Sequence, residues 1–491
     1  MKLYFTGHEE KYAVEQTLLT LFPGEKPVYP AGPAIEPDLD EDNVLRLALH
    51  HGPQTLTAVA RLTRGGRTHQ AVARVGRKAL TGDRVADTRL TRRCLQRAFY
   101  RAAVACLGTE PPWGMLAGVR PVKLPVKAVR SGATFSQAEA MLRDTYHVSP
   151  ARRRLAMDCA RACLDVEASL SPQEVSLYVG IPFCPTRCAY CSFISAAGQN
   201  NKLIPPYLEA LFREIDAAGA ALDRLGKTVR SVYIGGGTPT TLSAAQLSAL
   251  MARLRQAFSL NPGLEYTVEA GRPDTITREK LTAIREGGGN RISVNPQSMS
   301  ERVLQAMGRA HGPAEILRAY GLVRQAGFTA VNMDLIAGLP QDSAEGFRHT
   351  LDQVITMGPE NITVHTLALK RGSRLREEGS ALPDGAAVAH MLDYAWEALG
   401  GAGYVPYYLY RQKYMSGSFE NVGWCRPGAE SLYNICMMEE LHPVLSLGAG
   451  GVTKAVDLAQ GCVRRLSNPK YPQEYLREQE RIIQDKAQWT L

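Results

Sequence analysis

At 491 residues the chain is long enough for a large core and two or three domains, and its composition, 45% apolar and 21% charged, is that of an ordinary globular protein. No run of 18 apolar residues is present to span a membrane, and Met1 to Phe5 is followed at once by Gly-His-Glu-Glu-Lys, so no signal peptide is expected. Ten cysteines, three of them within one short loop, do not read as a disulfide framework, and a reducing, cytoplasmic setting is expected.

The net charge of +9 is unevenly placed: residues 1–150 hold 21 Lys and Arg against 14 Asp and Glu, +7 of the total. Arg61, Arg64, Arg67, Arg74, Arg77 and Lys78 are followed by Arg89, Arg92, Arg93, Arg97 and Arg101. Such density suits RNA, an acidic redox partner or a polycarboxylate substrate, and equally a solvated face. The acidic stretch 36–42 weakens a nucleic-acid reading.

In chain order, 44–51 and 55–63 alternate or run apolar, Arg64-Gly-Gly-Arg67 turns, and 68–75 returns, predicting a β-meander. A helix is expected over 91–107, ended by Gly108 and Pro111-Pro112, with further helices over 136–146 and 150–169. Together these make an N-terminal α+β region, 1–170, and Pro172 marks a boundary.

From residue 174 the texture changes to strand–loop–helix alternation. Six β-rich runs recur, at 176–181, 231–234, 265–269, 291–294, 330–336 and 361–367, with helical stretches at 206–225, 244–258, 277–286, 313–327 and 344–356. The alternation predicts parallel strands with crossover helices. Six units suggest an α/β barrel open on one side, over 171–375, with a doubly wound sheet as the alternative. Residues 376–491 then form a separate C-terminal region, less readable from pattern.

The first β-run leads into Tyr178-Val-Gly-Ile-Pro-Phe-Cys184-Pro-Thr-Arg-Cys188-Ala-Tyr-Cys191-Ser-Phe193, a C-x3-C-x2-C spacing. Three thiolates this close can grip three corners of a cubic [4Fe–4S] cluster and leave one iron open. A structural zinc loop is the alternative, but zinc prefers four ligands and paired C-x2-C spacing, and no His lies nearby.

The string Y-x-x-I-P-F-C-x-x-x-C-x-Y-C-x-F resembles the signature of radical S-adenosylmethionine (SAM) enzymes. More narrowly, it resembles the oxygen-independent coproporphyrinogen III oxidase family, which includes dehydrogenases, HemZ-type proteins and haem chaperones. The likeness runs over residues 174–454, and the text around Trp113-Gly-Met-Leu-Ala-Gly-Val-Arg-Pro-Val-Lys-Leu124 is most similar to the HemZ-type N-terminal region. The resemblance implies a partial (β/α)6 barrel with a C-terminal lid, 376–491, covering the substrate, a [4Fe–4S] cluster on Cys184, Cys188 and Cys191, and SAM at the open iron. It also implies a flavodoxin- or ferredoxin-type electron donor.

Chemistry in α/β barrels collects at the C-terminal strand ends. There stands Gly235-Gly-Gly-Thr-Pro-Thr240, alone no more than a turn, whose Gly236, Gly237 and Thr238 match the family's motif for the methionine end of SAM. The resemblance likewise assigns SAM contacts to Glu269, Gln297, Arg309 (a carboxylate partner), Asp334 (ribose) and Ala368 (adenine), with Tyr178 and Tyr190 flanking cofactor and cluster. The implied chemistry is one-electron cleavage of SAM, hydrogen abstraction from a propionate, and loss of carbon dioxide and an electron to leave a vinyl group.

In the C-terminal part, Arg411, Lys413 and Arg426 could pair with propionates at the barrel mouth or be solvated cations, and Cys425 and Cys436 could be ligands or buried apolar residues. Phe193 stands where the dehydrogenases carry a further cysteine, and Glu420-Asn-Val-Gly-Trp424 stands where the chaperones carry a His-Asn pair. Three activities therefore stay open: decarboxylation of a porphyrinogen, haem transfer, and radical chemistry on another substrate, RNA or a small molecule.

Overall fold

The computed structural model describes residues 1–22, 24–30, 41–191, 196–197, 202–370, 373–378, 382–412, 419–457 and 462–489. The chain divides into one unit of Met1–Pro121, Ala128–Leu155 and Gln412–Phe419 and another of Val122–Lys127, Ala156–Arg411 and Glu420–Leu491.

In the first unit, strands Val44–His51, Thr55–Arg64 and Arg67–Gly76 form the expected antiparallel meander. It turns at Gly65 and Gly66, both at positive φ, a region glycine enters without steric cost. Strand Lys2–Thr6, absent from the sequence reading, pairs in parallel with Val44–His51 across helix Lys11–Leu21. Alternate sheet residues Leu45, Leu47, Ala58, Ala60 and Leu62 are buried in one core with Leu95, Ala98 and Phe99 of helix Arg84–Leu107. That helix starts earlier than expected because Asp83 caps it, accepting from Val85 N, and it ends at left-handed Gly108.

The second unit holds an 11-stranded sheet. In chain order its strands are β1 (Glu174–Ile181), β2 (Thr228–Gly236), β3 (Glu265–Glu269), β4 (Arg291–Ser293), β5 (Ala330–Ala337), β6 (Asn361–Thr366), β7 (Val405–Arg411), β8 (Glu420–Cys425), β9 (Val444–Leu447), β10 (Val452–Asp457) and β11 (Cys462–Ser467). In space they run β7-β8-β6-β5-β4-β3-β2-β1-β9-β10-β11. Strands β1 to β6 pair successively and in parallel, with helices Ile204–Arg224, Ala244–Ala257, Arg278–Glu286, Pro313–Gln325 and Ala344–Met357 in the crossovers. The order runs in one direction, without the reversal of a doubly wound sheet, and its outer strands are edges. The fold is a partial α/β barrel.

The C-terminal part also extends this sheet. β8 joins β6 antiparallel and β7 joins β8, while β9 lies parallel beside β1 and leads to β10 and β11. The six parallel strands alternate for most of their length, with an irregularity at Val175–Ser176 and the apolar Ile336 on the polar face. Val175, Leu177, Val179, Val232, Ile234, Val268, Met333, Leu335, Ile362 and Val364 are buried on one face. Ser176, Tyr178, Ser231, Tyr233, Thr267, Glu269, Asn332, Asp334, Thr363 and His365 take the other. Hydrogen bonds across that second face prove it shared: Ser176 Oγ to Ser231 Oγ at 2.6 Å and Thr363 Oγ1 to Asn332 Oδ1 at 3.0 Å. A polar lumen thus faces an apolar shell. No helix among the described residues is long and apolar enough to cross a membrane.

Candidate active site

Beyond β1, Phe183–Cys184 pairs with Ala196–Ala197 in a two-residue parallel ladder that pinches the base of the cysteine loop. Within the loop Cys191 N donates to Cys188 O at 3.1 Å, and Ala189 N reaches Met307 O at 3.0 Å. Cys188 is buried, Cys184 and Cys191 are half-buried, and none of the three is in a disulfide. Among the described residues no three His, Cys, Asp or Glu side chains are gathered closely enough to hold a metal ion, these thiols included. A cubic cluster takes one thiolate at each iron corner and spreads its ligands accordingly. Phe193 lies outside the described residues.

The glycine turn after β2 is bonded directly onto this loop. Gly237 N donates to Ile181 O at 2.8 Å and Thr238 N to Phe183 O at 2.7 Å, while Thr238 Oγ1 lies 3.4 Å from Cys184 Sγ. A Cβ on Gly237 would sit 2.6 Å from Phe183 O, so only glycine lets the two backbones meet. At the end of β3, Glu269 accepts from Tyr233 OH at 2.6 Å and from Gly236 N at 3.3 Å. Burial raises its pKa to about 7, with the nearby Asp334 charge adding to the rise and the Tyr233 bond opposing it. Tyr178 stacks with Tyr233 and Tyr433, and burial raises its phenol pKa.

Gln297 sits past β4 in the left-handed region, φ 67°, with its backbone bonded to β5 through Asp334 O and Ile336 N. Arg309, 5% exposed, donates to Asn295 O at 2.7 Å and to Tyr190 OH at 3.1 Å. Tyr190 packs against Val303, Met307 and Leu367. Asp334 takes Asn332 Nδ2 at 2.7 Å and stands 3.8 Å from His365 Nε2. Burial pushes its pKa up, but His365, Asn332 and Thr363 together more than offset this and hold it below the ordinary value. Ala368 is half-buried just past β6.

Sequence reading missed several side chains here: Tyr233 and Tyr433, His365, and the chain Arg272–Asp274–His311, in which buried Arg272 and His311 meet the more exposed Asp274. Tyr233 and His365 were legible from strand alternation, since each shares a pleat face with a named residue. Arg272 and His311 lay inside the motifs already singled out, and only tertiary folding pairs them.

The expectations for the C-terminal cations divide. Arg411 ends β7 opposite Glu420, beside the C-terminal end of β6, and is 5% exposed. Arg426 does not line the mouth. β8 runs antiparallel to β6, so its far end lies at the opposite side of the sheet, where Arg426 N meets Glu360 O at 2.8 Å and the guanidinium covers the Tyr404 ring. Lys413 lies outside the described residues. Cys425 and Cys436 are fully buried, and burial raises both thiol pKa values.

The arrangement fits a cluster with a small, partly charged cofactor beside it. Asn295 Oδ1, Gln297 Oε1 and Arg309 Nε are buried without a hydrogen-bond partner among the described residues, which proteins tolerate where a ligand completes the set. The Radical SAM superfamily matches residues 178–354. The oxygen-independent coproporphyrinogen-III oxidase-like protein HemZ of Bacillus subtilis is 39% identical over 389 residues, 78% of this chain and 77% of its own. The chain belongs to this radical SAM family. It is an oxidoreductase using a [4Fe–4S] cluster and SAM on a small-molecule substrate. The haem chaperone HemW of Mycobacterium tuberculosis is 33% identical over 274 residues, 55% of this chain and 66% of its own. Among solved structures, coproporphyrinogen III oxidase (HemN) from Escherichia coli is similar with TM-score 0.52 and 25% identity, covering 66% of this chain and 72% of that one.

Proposed function

We propose that this chain catalyses oxygen-independent oxidative decarboxylation of coproporphyrinogen III to protoporphyrinogen IX, with Cys184, Cys188 and Cys191 holding the cluster. The observation that carries the reading is the seam between cysteine loop and glycine turn, closed by the Cys184–Thr238 contact of 3.4 Å. On the same side of the barrel stand the buried polar atoms Asn295 Oδ1, Gln297 Oε1 and Arg309 Nε, without a hydrogen-bond partner among the described residues, which a bound cofactor would satisfy. Bound there, cluster and SAM supply one-electron cleavage of a sulfonium carbon–sulfur bond and so hydrogen-atom abstraction. The chain's residues then have distinct tasks. Gly236, Gly237 and Thr238 face the amino-acid end of SAM and Arg309 pairs with its carboxylate. Glu269, Gln297 and Asp334 take its amine and ribose, Ala368 borders the adenine, and Tyr178 and Tyr190 exclude water on either side.

Conversion of each propionate to vinyl releases carbon dioxide, a hydrogen atom and an electron, so an acceptor must take the last. A flavodoxin- or ferredoxin-type protein of the cytoplasm supplies the reducing electron, and the basic N-terminal region 1–170 serves as an accessory domain. The name of the Bacillus subtilis relative supports the substrate, and the Mycobacterium tuberculosis likeness favours haem transfer as a second reading. An anaerobic assay with SAM and coproporphyrinogen III decides between them. Deoxyadenosine and vinyl product forming together support decarboxylation; tight stoichiometric haem binding without turnover supports the second reading; deoxyadenosine without vinyl product sinks the porphyrinogen substrate.

A further inference from the structure

Arg272 reaches the cysteine loop from the turn after β3. Its side chain is 3% exposed. Nη1 donates to Thr186 Oγ1 at 2.9 Å and makes an N–H···S contact of 3.8 Å with Cys188 Sγ. The rest of the fork is held by Asp274, Nε to Oδ1 at 3.0 Å and Nη2 to Oδ2 at 3.2 Å. Asp274 Oδ1 also lies 3.2 Å from His311 Nδ1, and His311 Nε2 lies 3.3 Å from Arg309 Nη1. Arg309 can only donate, so Nε2 accepts and the imidazole's one proton sits on Nδ1, bonded to Asp274. Burial favours that neutral ring. Cys188 therefore faces two buried guanidiniums, Arg272 and Arg309, and Asp274 balances the charge of the first.

We propose that Arg272 sets the reduction potential of the cluster through Cys188, with Asp274 as its counterweight. The inference rests on the three cysteines being the cluster ligands. Reduction adds negative charge that the thiolates share, and an N–H donor on sulfur together with a nearby positive charge stabilises the reduced form over the oxidised one. The water-poor setting strengthens both effects. Asp274 acts in the opposite sense, limiting the rise while fixing the guanidinium plane. Both are positioning residues; neither touches substrate.

The test is a potentiometric titration of the anaerobically reconstituted full chain, following the reduced-cluster EPR signal and iron content. Arg272→Gln is expected to load iron and titrate at a more negative midpoint than wild type. Asp274→Asn, which keeps the donor and removes the balancing charge, is expected at a less negative midpoint. The opposite signs separate this role from a merely architectural one, which moves neither midpoint or both together. Arg272→Lys, keeping the charge without the fork, is expected between wild type and Arg272→Gln, and it carries the test if Arg272→Gln fails to load. Loaded Arg272 and Asp274 variants at the wild-type midpoint, or shifted in one direction, overturn the proposal and leave ligation standing. A wild-type chain that takes up no iron overturns the ligand reading instead.

Discussion

Glu265 and Glu269 stand at opposite ends of β3, four residues apart and on the same lumen face. Glu265 accepts from Ser431 Oγ at 3.0 Å, Leu432 N at 2.7 Å and Tyr433 N at 2.9 Å, an anion held at the N-terminus of helix Leu432–Glu439. Glu269 has a phenol and one long amide contact, and a pKa near 7. The first carboxylate is satisfied by the protein itself and acts in folding. The second is buried with its requirements incompletely met, a state that costs stability unless something else binds there. One strand thus carries a fully satisfied carboxylate at its start and an incompletely satisfied one at its end.

The sharpest break between the two ends concerns cysteine. Replacing Cys184, Cys188 or Cys191 by Ala is expected to abolish the iron–sulfur absorption of reconstituted protein. Cys425→Ala and Cys436→Ala, which alter buried thiols away from the mouth, are expected to retain it. Full iron and SAM cleavage in a Cys188→Ala protein would end the assignment. The glutamates come next. Glu265→Ala orphans three donors, and chemical denaturation is expected to show a loss of about 2–4 kcal/mol. Glu269→Ala is expected to leave iron content intact and weaken SAM binding by about 1.5–3 kcal/mol, roughly ten- to hundredfold in Kd. Equal effects of the two on both quantities would erase the distinction between the ends.

Much of this contrast was legible in the sequence because it is periodic. Alternation along six short runs fixed the parallel strands, and a residue at each strand end fell at the mouth, from Thr238 to Ala368. The cysteine loop was legible because its spacing is itself the constraint. Arg426 misled because a linear reading cannot tell that β8 runs antiparallel to β6, which carries that guanidinium to the other end. Strand Lys2–Thr6 went unseen because its pairing partner lies some forty residues on, at Val44–His51. The Arg272–Asp274–His311 chain has no period at all. It is assembled from two loops that meet only in the fold.

The raised pKa of Glu269 gives the contrast a pH signature. Its ordinary value is 4.5 and its folded value about 7, so the native state binds the proton more tightly than the unfolded chain. The stabilising contribution is complete below about pH 4.5 and is lost as pH rises through 7. Relative to Glu269→Gln, the SAM-free protein is therefore expected to lose stability between pH 5 and 8. The change is on the order of 2–3 kcal/mol for this largely buried carboxyl. Urea midpoints of the two proteins across that range measure it, and parallel curves refute it.

The smallest expected effect separates the two arginines. Arg411 is buried at the mouth end of β7 beside Glu420, and burial lowers its pKa to about 10, so it stays charged at neutral pH. Arg426 is tied to Ala402 O and the Tyr404 ring at the other end. If a substrate propionate meets the mouth, Arg411 must share its charge between that carboxylate and Glu420, which limits its contribution to about 0.5–1 kcal/mol, or two- to fivefold in KM. Arg411→Met is thus expected to raise the KM for coproporphyrinogen III while deoxyadenosine still forms without substrate, a step that needs only cluster, SAM and an electron. Arg426→Met is expected to lower thermal stability slightly and leave KM alone. A KM that moves with Arg426 and not with Arg411 would put the substrate at the wrong end of the barrel and break the comparison between the two ends of the strands.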